Sequence, residues 1–157
     1  MREIYLCIIC SLLLASFQGC KTDSDCGACF TPPSFFTFEI VDINTGENLF
    51  TNGTFDPNQL VITATLDGKS ENVTYNFIEE NGLNQLEITS VGWESGISTT
   101  SVSVGDTYLF NLTVDAERVS EDCCNFTRYN EININDAMYT LDPVTSAFYI
   151  VSVDLGE

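Results

Sequence analysis

Apolar and polar residues alternate with a period of two through most of this chain, and this pattern constrains the fold more than any other feature. Successive side chains of a β-strand point to opposite faces, so such alternation is typical of strands that are buried on one face. No long segment has the apolar repeat of an amphipathic helix. The alternating runs are Phe36, Phe38, Ile40; Leu60, Ile62, Ala64, Leu66; Val73, Tyr75, Phe77; Leu86, Ile88; Tyr108, Phe110, Leu112, Val114; Ile132, Ile134; and Phe148, Ile150.

Turn-forming residue pairs separate these runs, which predicts roughly seven to nine short strands. Segment 60–90 has the pattern of a three-stranded meander, whereas segment 93–106 fits either one strand or a long loop. We therefore predict an all-β fold, a single antiparallel β-sandwich (Ig-like or similar) over residues 35–157. The turn pairs are Thr45-Gly46, Asn52-Gly53, Asp67-Gly68, Asn81-Gly82, Gly105-Asp106 and Asp142-Pro143.

The N-terminus has the layout of a secretory signal peptide, with a basic residue, an apolar run over residues 4–14 and then small or polar residues. The run is too short to span a bilayer comfortably. Its end, Phe17-Gln18-Gly19-Cys20, resembles the lipobox of bacterial lipoproteins, although Phe17 and Gln18 are atypical. This resemblance implies a signal peptide over residues 1–19 and a lipid on Cys20. Residues 20–34 would then be an acidic tether.

The tether begins with Lys21-Thr22-Asp23-Ser24-Asp25, which resembles the export signal of surface lipoproteins in the Bacteroidetes. The segments Cys26-Gly27-Ala28-Cys29-Phe30-Thr31-Pro32-Pro33 and Phe36-Thr37-Phe38-Glu39-Ile40-Val41-Asp42, followed by Thr45-Gly46-Glu47-Asn48-Leu49-Phe50, resemble an uncharacterised family of flavobacterial (Bacteroidetes) surface lipoproteins. The resemblance implies an outer-membrane lipoprotein with a β-rich domain. It implies no activity.

The cysteine count agrees with lipidation. Of seven cysteines, Cys7 and Cys10 leave with the signal peptide, and a lipidated Cys20 cannot pair. The remaining four are an even number, as expected for disulfides in an oxidising compartment. We predict two bridges that join one pair to the other, and the sequence leaves the connectivity open. The two pairs are Cys26 with Cys29, and Cys123 with Cys124.

Two other uses of these cysteines are less favoured. A redox C-x-x-C centre needs the first thiol at a helix N-terminus, but Pro32 and Pro33 follow the motif and acidic residues precede it. A zinc site suits Cys123 and Cys124 poorly, because adjacent strand residues point to opposite faces.

The charge is strongly negative, −18 for the whole chain with 5 basic and 23 acidic residues. Such a chain is repelled by nucleic acid and by anionic lipid, so attachment to a membrane must be covalent. The acidic residues are dispersed, which indicates a solvated surface and turns. The segment Asp42-Ile43-Asn44-Thr45-Gly46-Glu47 has the D-x-N-x-G spacing of a Ca²⁺ loop but lacks the distal ligands, so we predict no metal and no cofactor.

The chain has no histidine, which removes catalytic triads and histidine-metal sites together. We therefore predict that the protein is not an enzyme. A carboxylate pair could still hydrolyse glycosides, but no particular pair stands out. Trp93, the only tryptophan, lies between Gly92 and Gly96 in a segment that could present an aromatic platform to a glycan. A lone tryptophan folded over the core is the more common arrangement, and we favour it.

These observations together predict an outer-membrane, surface-exposed lipoprotein that acts as a non-enzymatic binding or interaction module. Its expected partners are the membrane, through the lipid anchor, and a glycan or a protein. The alternatives are a structural component of a cell-envelope assembly and, less favoured, a carboxylate-based glycoside hydrolase.

Overall fold

The computed structural model describes residues 29–80, 82–121, 123–142 and 147–156, and almost all of this part of the chain is strand or turn. One short 3₁₀-helix, Pro57–Gln59, precedes the third strand. The strands, in chain order, are β1 (Cys29–Phe30), β2 (Phe36–Asp42), β3 (Leu60–Leu66), β4 (Lys69–Glu71), β5 (Tyr75–Ile78), β6 (Gln85–Ile88), β7 (Gly96–Val104), β8 (Thr107–Glu121), β9 (Cys124–Asn135), β10 (Met138–Leu141) and β11 (Phe148–Val153).

Two sheets pack face to face, which confirms the predicted β-sandwich. The six-stranded sheet has the order β1-β9-β8-β7-β3-β4, and the five-stranded sheet has the order β10-β11-β2-β6-β5. Most pairs are antiparallel, but β1 pairs with β9 and β2 pairs with β11 in parallel. A parallel pair needs a long connection, and for β2 and β11 the rest of the domain provides it. The sheets are therefore mixed rather than purely antiparallel.

The predicted meander over segment 60–90 is wrong, because its strands divide between the two sheets. β3 and β4 form a hairpin whose turn has positive φ at both Asp67 (48°) and Gly68 (77°), as a tight two-residue turn requires. β5 and β6 pair with each other in the opposite sheet. Segment 93–106, left open between strand and loop, forms the central strand β7.

The core lies between the sheets and is rich in aromatic rings. Phe38 of one sheet and Phe110 of the other are both fully buried, and their ring centroids are 5.2 Å apart. Two strands present a different set of residues to this core from the set that we predicted. In β11 the buried residues are Tyr149, Val151 and Val153 rather than Phe148 and Ile150. In β8 a bulge at Leu109 leaves Tyr108 exposed.

β8 and β9, with 15 and 12 residues, are the longest strands of the described chain and form one hairpin. Its register shifts between Asp115 and Ala116, so that Ala116 lies opposite Tyr129 and Arg118 opposite Thr127. Ala116 is buried in the core, and Arg118, two residues further, continues the same face of the strand. Phe36, the first residue of β2, packs edge-on against Tyr129 at 5.6 Å. Beyond that point β1 pairs with β9 at the edge of the sheet, and the connection 89–95 is hydrogen-bonded to the hairpin through Gly92 and Ser95.

Strand β1 belongs to the part of the chain that the sequence analysis assigns to the tether. It pairs with β9 at Cys29–Cys124 and Phe30–Asn125, and the amide of Thr31 donates to the carbonyl of Asn125 at 2.9 Å. The folded domain therefore extends to Cys29, ahead of the boundary at residue 35. Residues 1–28, which contain the predicted signal peptide, Cys20 and Cys26, lie outside the described residues.

Candidate functional site

Three side chains meet on the distal half of the β8–β9 hairpin and form a surface that we call the aromatic platform: Phe30, Trp93 and Arg118. The rings of Phe30 and Trp93 are stacked, with centroids 6.1 Å apart and planes 28° from parallel. The guanidinium carbon of Arg118 lies over the Phe30 ring, 5.4 Å from its centroid. Phe30 is 55% exposed and Trp93 48% exposed. The platform is therefore open to solvent rather than part of the core.

The connection 89–95 positions Trp93 through a buried anchor residue and a hydrogen bond. Val91 is buried in the core and anchors the loop. Gly92 has a φ of +88°, and a Cβ there would lie 3.0 Å from the Tyr129 hydroxyl, so both the backbone and the available space favour glycine at this position. The indole Nε1 of Trp93 donates to the carbonyl of Thr89 at 3.0 Å. Because its N–H is already bonded, Trp93 offers a ligand the face of its ring.

A chain of hydrogen bonds fixes Arg118. Its Nη1 donates to Oγ1 of Thr127 at 2.7 Å, and this hydroxyl donates to the carbonyl of Gly92 at 2.8 Å. The backbone amide of Arg118 donates to Oγ of Ser95 at 2.8 Å. The cation and the tryptophan loop are thus connected through Thr127, and moving one would disturb the other.

Tyr129 supports the platform from below. Its hydroxyl accepts a hydrogen bond from the amide of Ser34 at 2.9 Å. Burial raises the pKa of Tyr129, while the Ser34 hydrogen bond and the nearby charge of Arg118 act in the opposite direction. The phenol therefore stays neutral at physiological pH and acts as a structural hydrogen-bonding group.

The two arginines of this hairpin have different electrostatic surroundings. Arg128 forms ion pairs with Glu117 at 3.6 Å and with Glu121 at 3.0 Å. Arg118, although half-buried, has no carboxylate at salt-bridge distance among the described residues. An arginine without an ion pair is unexpected in a chain of net charge −18.

A polar cleft of about 430 Å³ adjoins the platform. Two of its lining residues, Glu94 and Ser95, directly follow Trp93 in the chain. Burial raises the pKa of Glu71; a hydrogen bond from Ser98 opposes this shift, and the charge of Glu94 adds to it. The cleft offers carboxylate acceptors for hydroxyl groups and two carboxyls that influence each other. Its polar lining residues are Asp67, Lys69, Ser70, Glu71, Glu94 and Ser95.

The structure decides some of the sequence predictions about this site. The expectation that Trp93 covers the core is wrong, because the ring packs beside Phe30 on an open surface. Cys29 and Cys124 form a disulfide with a Cα–Cα distance of 4.5 Å, as predicted for bridges between the two pairs. Cys123 is disulfide-bonded as well, so none of the described cysteines offers a thiolate ligand to zinc.

The candidate Ca²⁺ loop is occupied by its own backbone. Oδ1 of Asp42 accepts hydrogen bonds from the amides of Asn44 at 2.8 Å and Thr45 at 2.7 Å, which is the turn that also explains the spacing. These contacts, the Thr45 amide first, lower the pKa of Asp42. Within residues 29–156, where described, no group of three or more potential metal-ligating side chains occurs.

Sequence reasoning missed Phe30 and Arg118. Phe30 has a weak signal, since it directly follows a cysteine that was expected to be bridged. Arg118 has none, because only the register of the hairpin shows that it shares a surface with residues far away in the chain.

Comparisons with protein-family models, with curated proteins and with solved structures find no match for this chain. None of the residues described in the structure belongs to a helix long and apolar enough to cross a membrane.

Proposed function

We propose that the protein is an outer-membrane lipoprotein that faces the outside of the cell and binds a carbohydrate chain at the aromatic platform without modifying it. One observation carries the binding proposal: Phe30 and Trp93 are stacked together and each remains about half exposed. Sugar rings have apolar C–H faces that pack well against aromatic rings, and binding sites combine such surfaces with a few polar groups.

The platform is also preorganised. The disulfide beside Phe30, the Trp93–Thr89 hydrogen bond and the Thr127 bridge hold its members before any ligand arrives. A site that is already ordered loses little conformational entropy on binding, so a modest contact area is enough for measurable affinity. The adjoining cleft supplies acceptors for sugar hydroxyl groups.

Calorimetric titration with a panel of polysaccharides tests this function. We expect Trp93→Ala and Phe30→Ala each to weaken binding at least tenfold, since each removes one ring of the stack. Tyr108→Ala is the matched control, because Tyr108 is 44% exposed but lies at the other end of β8, about 30 Å along the strand. Equal binding by all four proteins would contradict the proposal.

Glycoside hydrolysis is a second candidate, because Glu71 and Glu94 line the same cleft beside the platform. A raised pKa is what a general acid requires, and that of Glu71 is raised. Incubation with a bound polysaccharide distinguishes the two functions. Release of reducing ends that disappears in Glu71→Gln would make the protein a hydrolase, whereas unchanged polysaccharide supports binding alone.

A structural role in an envelope assembly is supported by edge strand β10, where Met138, Tyr139 and Leu141 are 61%, 41% and 49% exposed. An exposed apolar edge strand can pair with another chain. Analytical ultracentrifugation tests this role: self-association that is lost in Tyr139→Lys would favour assembly over glycan binding.

The anchor and the location are tested in cells. Changing Cys20 to Ser should remove the acyl chains and release the protein from the membrane fraction. Each CH₂ group of such a chain that is buried in the bilayer contributes about 0.8 kcal/mol to membrane binding. Replacing Lys21, Asp23 and Asp25 by Ala should protect the domain from protease added to intact cells. Membrane association of Cys20→Ser at an unchanged mature mass would exclude the lipid. If the wild type and the variant without Lys21, Asp23 and Asp25 are digested equally, or are equally protected, this export signal is excluded.

A further inference from the structure

We propose that the ligand of the platform is an anionic polysaccharide, with carboxylate or sulfate groups, and that Arg118 binds its charge. This inference rests on the proposed function and names the class of glycan. It starts from the charge imbalance of the chain, in which acidic residues outnumber basic ones by 23 to 5.

The described part of the chain has three cations, and they differ in their surroundings. Arg128 is neutralised by two glutamates. Lys69 is exposed and lines a cleft together with Asp67, Glu71 and Glu94. Arg118 is half-buried, lies over the Phe30 ring and, within the described residues, forms no ion pair. A partly desolvated cation without a counter-ion is costly, and a bound anion would remove that cost.

The guanidinium of Arg118 is also set up to donate. Of its five N–H groups, one on Nη1 is used by Thr127. The guanidinium carbon lies over the Phe30 ring, 5.4 Å from its centroid, so the remaining donors belong to a group that is part of the platform. A sugar that stacks on Phe30 and Trp93 would bring a ring carboxylate or sulfate within reach of this fork, where charge-assisted hydrogen bonds are strongest.

The net charge of −18 opposes the approach of a polyanion, so the contact with Arg118 must outweigh this repulsion. At physiological ionic strength the screening length is about 8 Å, which weakens the repulsion from distant carboxylates much more than a partly buried contact pair. The local interaction therefore decides the affinity at about 0.15 M salt, the ionic strength chosen for the test.

The test compares ligands that differ only in charge. Binding of polygalacturonate is measured against its methyl ester, and binding of dextran sulfate against dextran, by calorimetry on the full folded domain. We expect the charged member of at least one pair to bind at least tenfold more tightly, and the two pairs separate carboxylate from sulfate recognition. Arg118→Gln should abolish this preference, and Arg118→Lys should retain part of it.

Arg128→Gln is the matched control, because Arg128 also lies over a phenylalanine ring, at 6.0 Å from that of Phe126, but is already ion-paired. It should bind both ligands as the wild type does. Trp93 fluorescence of each variant verifies that the platform is intact. Tighter binding of the neutral polysaccharides, or a charge preference that persists in Arg118→Gln, overturns this inference and leaves the proposed function standing. Absence of binding to every polysaccharide overturns both.

Discussion

Gly92 combines a backbone conformation and a packing environment that both favour glycine. Its φ is +88°, and an added Cβ would meet the Tyr129 hydroxyl at 3.0 Å and Cγ2 of Thr127 at 3.1 Å. We expect Gly92→Ala to lower the free energy of unfolding by roughly 2–3 kcal/mol and to shift the emission of Trp93.

Gly53 separates the two causes of this loss. Its φ is +80°, but a Cβ added there would have no atom within 4 Å. Gly53→Ala should therefore cost only the backbone term, about 1 kcal/mol. Urea unfolding followed by tryptophan fluorescence measures both variants. Equal losses would mean that close packing under the platform does not matter.

Thr100 is a second residue with an unusual environment. It is fully buried in β7, and its hydroxyl is the one buried side-chain group without a hydrogen-bond partner among the described residues. Valine has the same shape without the polar group, so Thr100→Val should raise the free energy of unfolding by about 1–2 kcal/mol.

The neighbouring Thr99 faces the other side of the same strand and provides the control. Thr99→Val changes the β-propensity of the strand by the same amount but removes a hydroxyl that is not buried. We therefore expect it to leave the free energy of unfolding nearly unchanged. Chemical denaturation compares the two. A loss of stability in Thr100→Val would show that the hydroxyl has a role that its packing does not explain.

Alternation of apolar and polar residues predicted most of the strands but not how the strands are arranged. β2, β3, β6, β8 and β9 lie where the pattern puts them, because a half-buried strand imposes that pattern on its own residues. β1 has only two residues and exists through its pairing with β9 and the bridge at Cys29, neither of which leaves a local signal. The bulge at Leu109 turns Tyr108 away from the core in the same way, because it arises from the pairing of β8 with β7 and not from the local sequence.

The platform illustrates the same limit. The glycines around Trp93 pointed to a loop, and the residue is functional in our proposal. Its partners Phe30 and Arg118 reach it only after β1 pairs with β9 and the β8–β9 register is set. Composition and periodicity contain no information about that register, so the site could be predicted only in part.

The Cys29–Cys124 disulfide connects two distant elements, β1 and β9, and its pairing is directly testable. Peptides that contain Cys29 and Cys124 should remain linked in a non-reducing digest, and fragmentation should assign the bond to Cys124 rather than Cys123. Full reduction of the protein should lower the free energy of unfolding by about 4–5 kcal/mol, the chain-entropy value for a loop near a hundred residues. A bond between Cys123 and Cys124, or free thiols at Cys29 and Cys124, would contradict the fold near β1.

Self-repulsion among carboxylates opposes folding in this chain, because 23 acidic residues face only 5 basic ones. With a net charge of −18 and few cations, the compact state at neutral pH brings many carboxylates together. Salt screens this repulsion, so the folded state should gain stability between about 10 and 150 mM NaCl, over which the screening length falls from about 30 Å to about 8 Å. Urea unfolding at the two salt concentrations measures the effect, and an unchanged midpoint would show that the charges are spaced too widely to matter.

Acid should first stabilise and then destabilise the fold. Protonation towards the isoelectric point of about 4.1 removes repulsion. Burial raises the pKa of Glu71 above its usual 4.5, so the folded state binds the proton first and this residue's contribution to stability increases as the pH falls to that value. The Thr45 amide lowers the pKa of Asp42 below its usual 3.8, so its contribution is present above 3.8 and is lost as the pH falls through the folded-state value. Urea unfolding should therefore show stability that first rises as the pH falls from neutral and then declines at lower pH, with Glu71→Gln gaining less than the wild type on the rising side. A steady loss of stability from neutral pH downward would mean that specific carboxylate contacts, rather than net charge, control the stability of this domain.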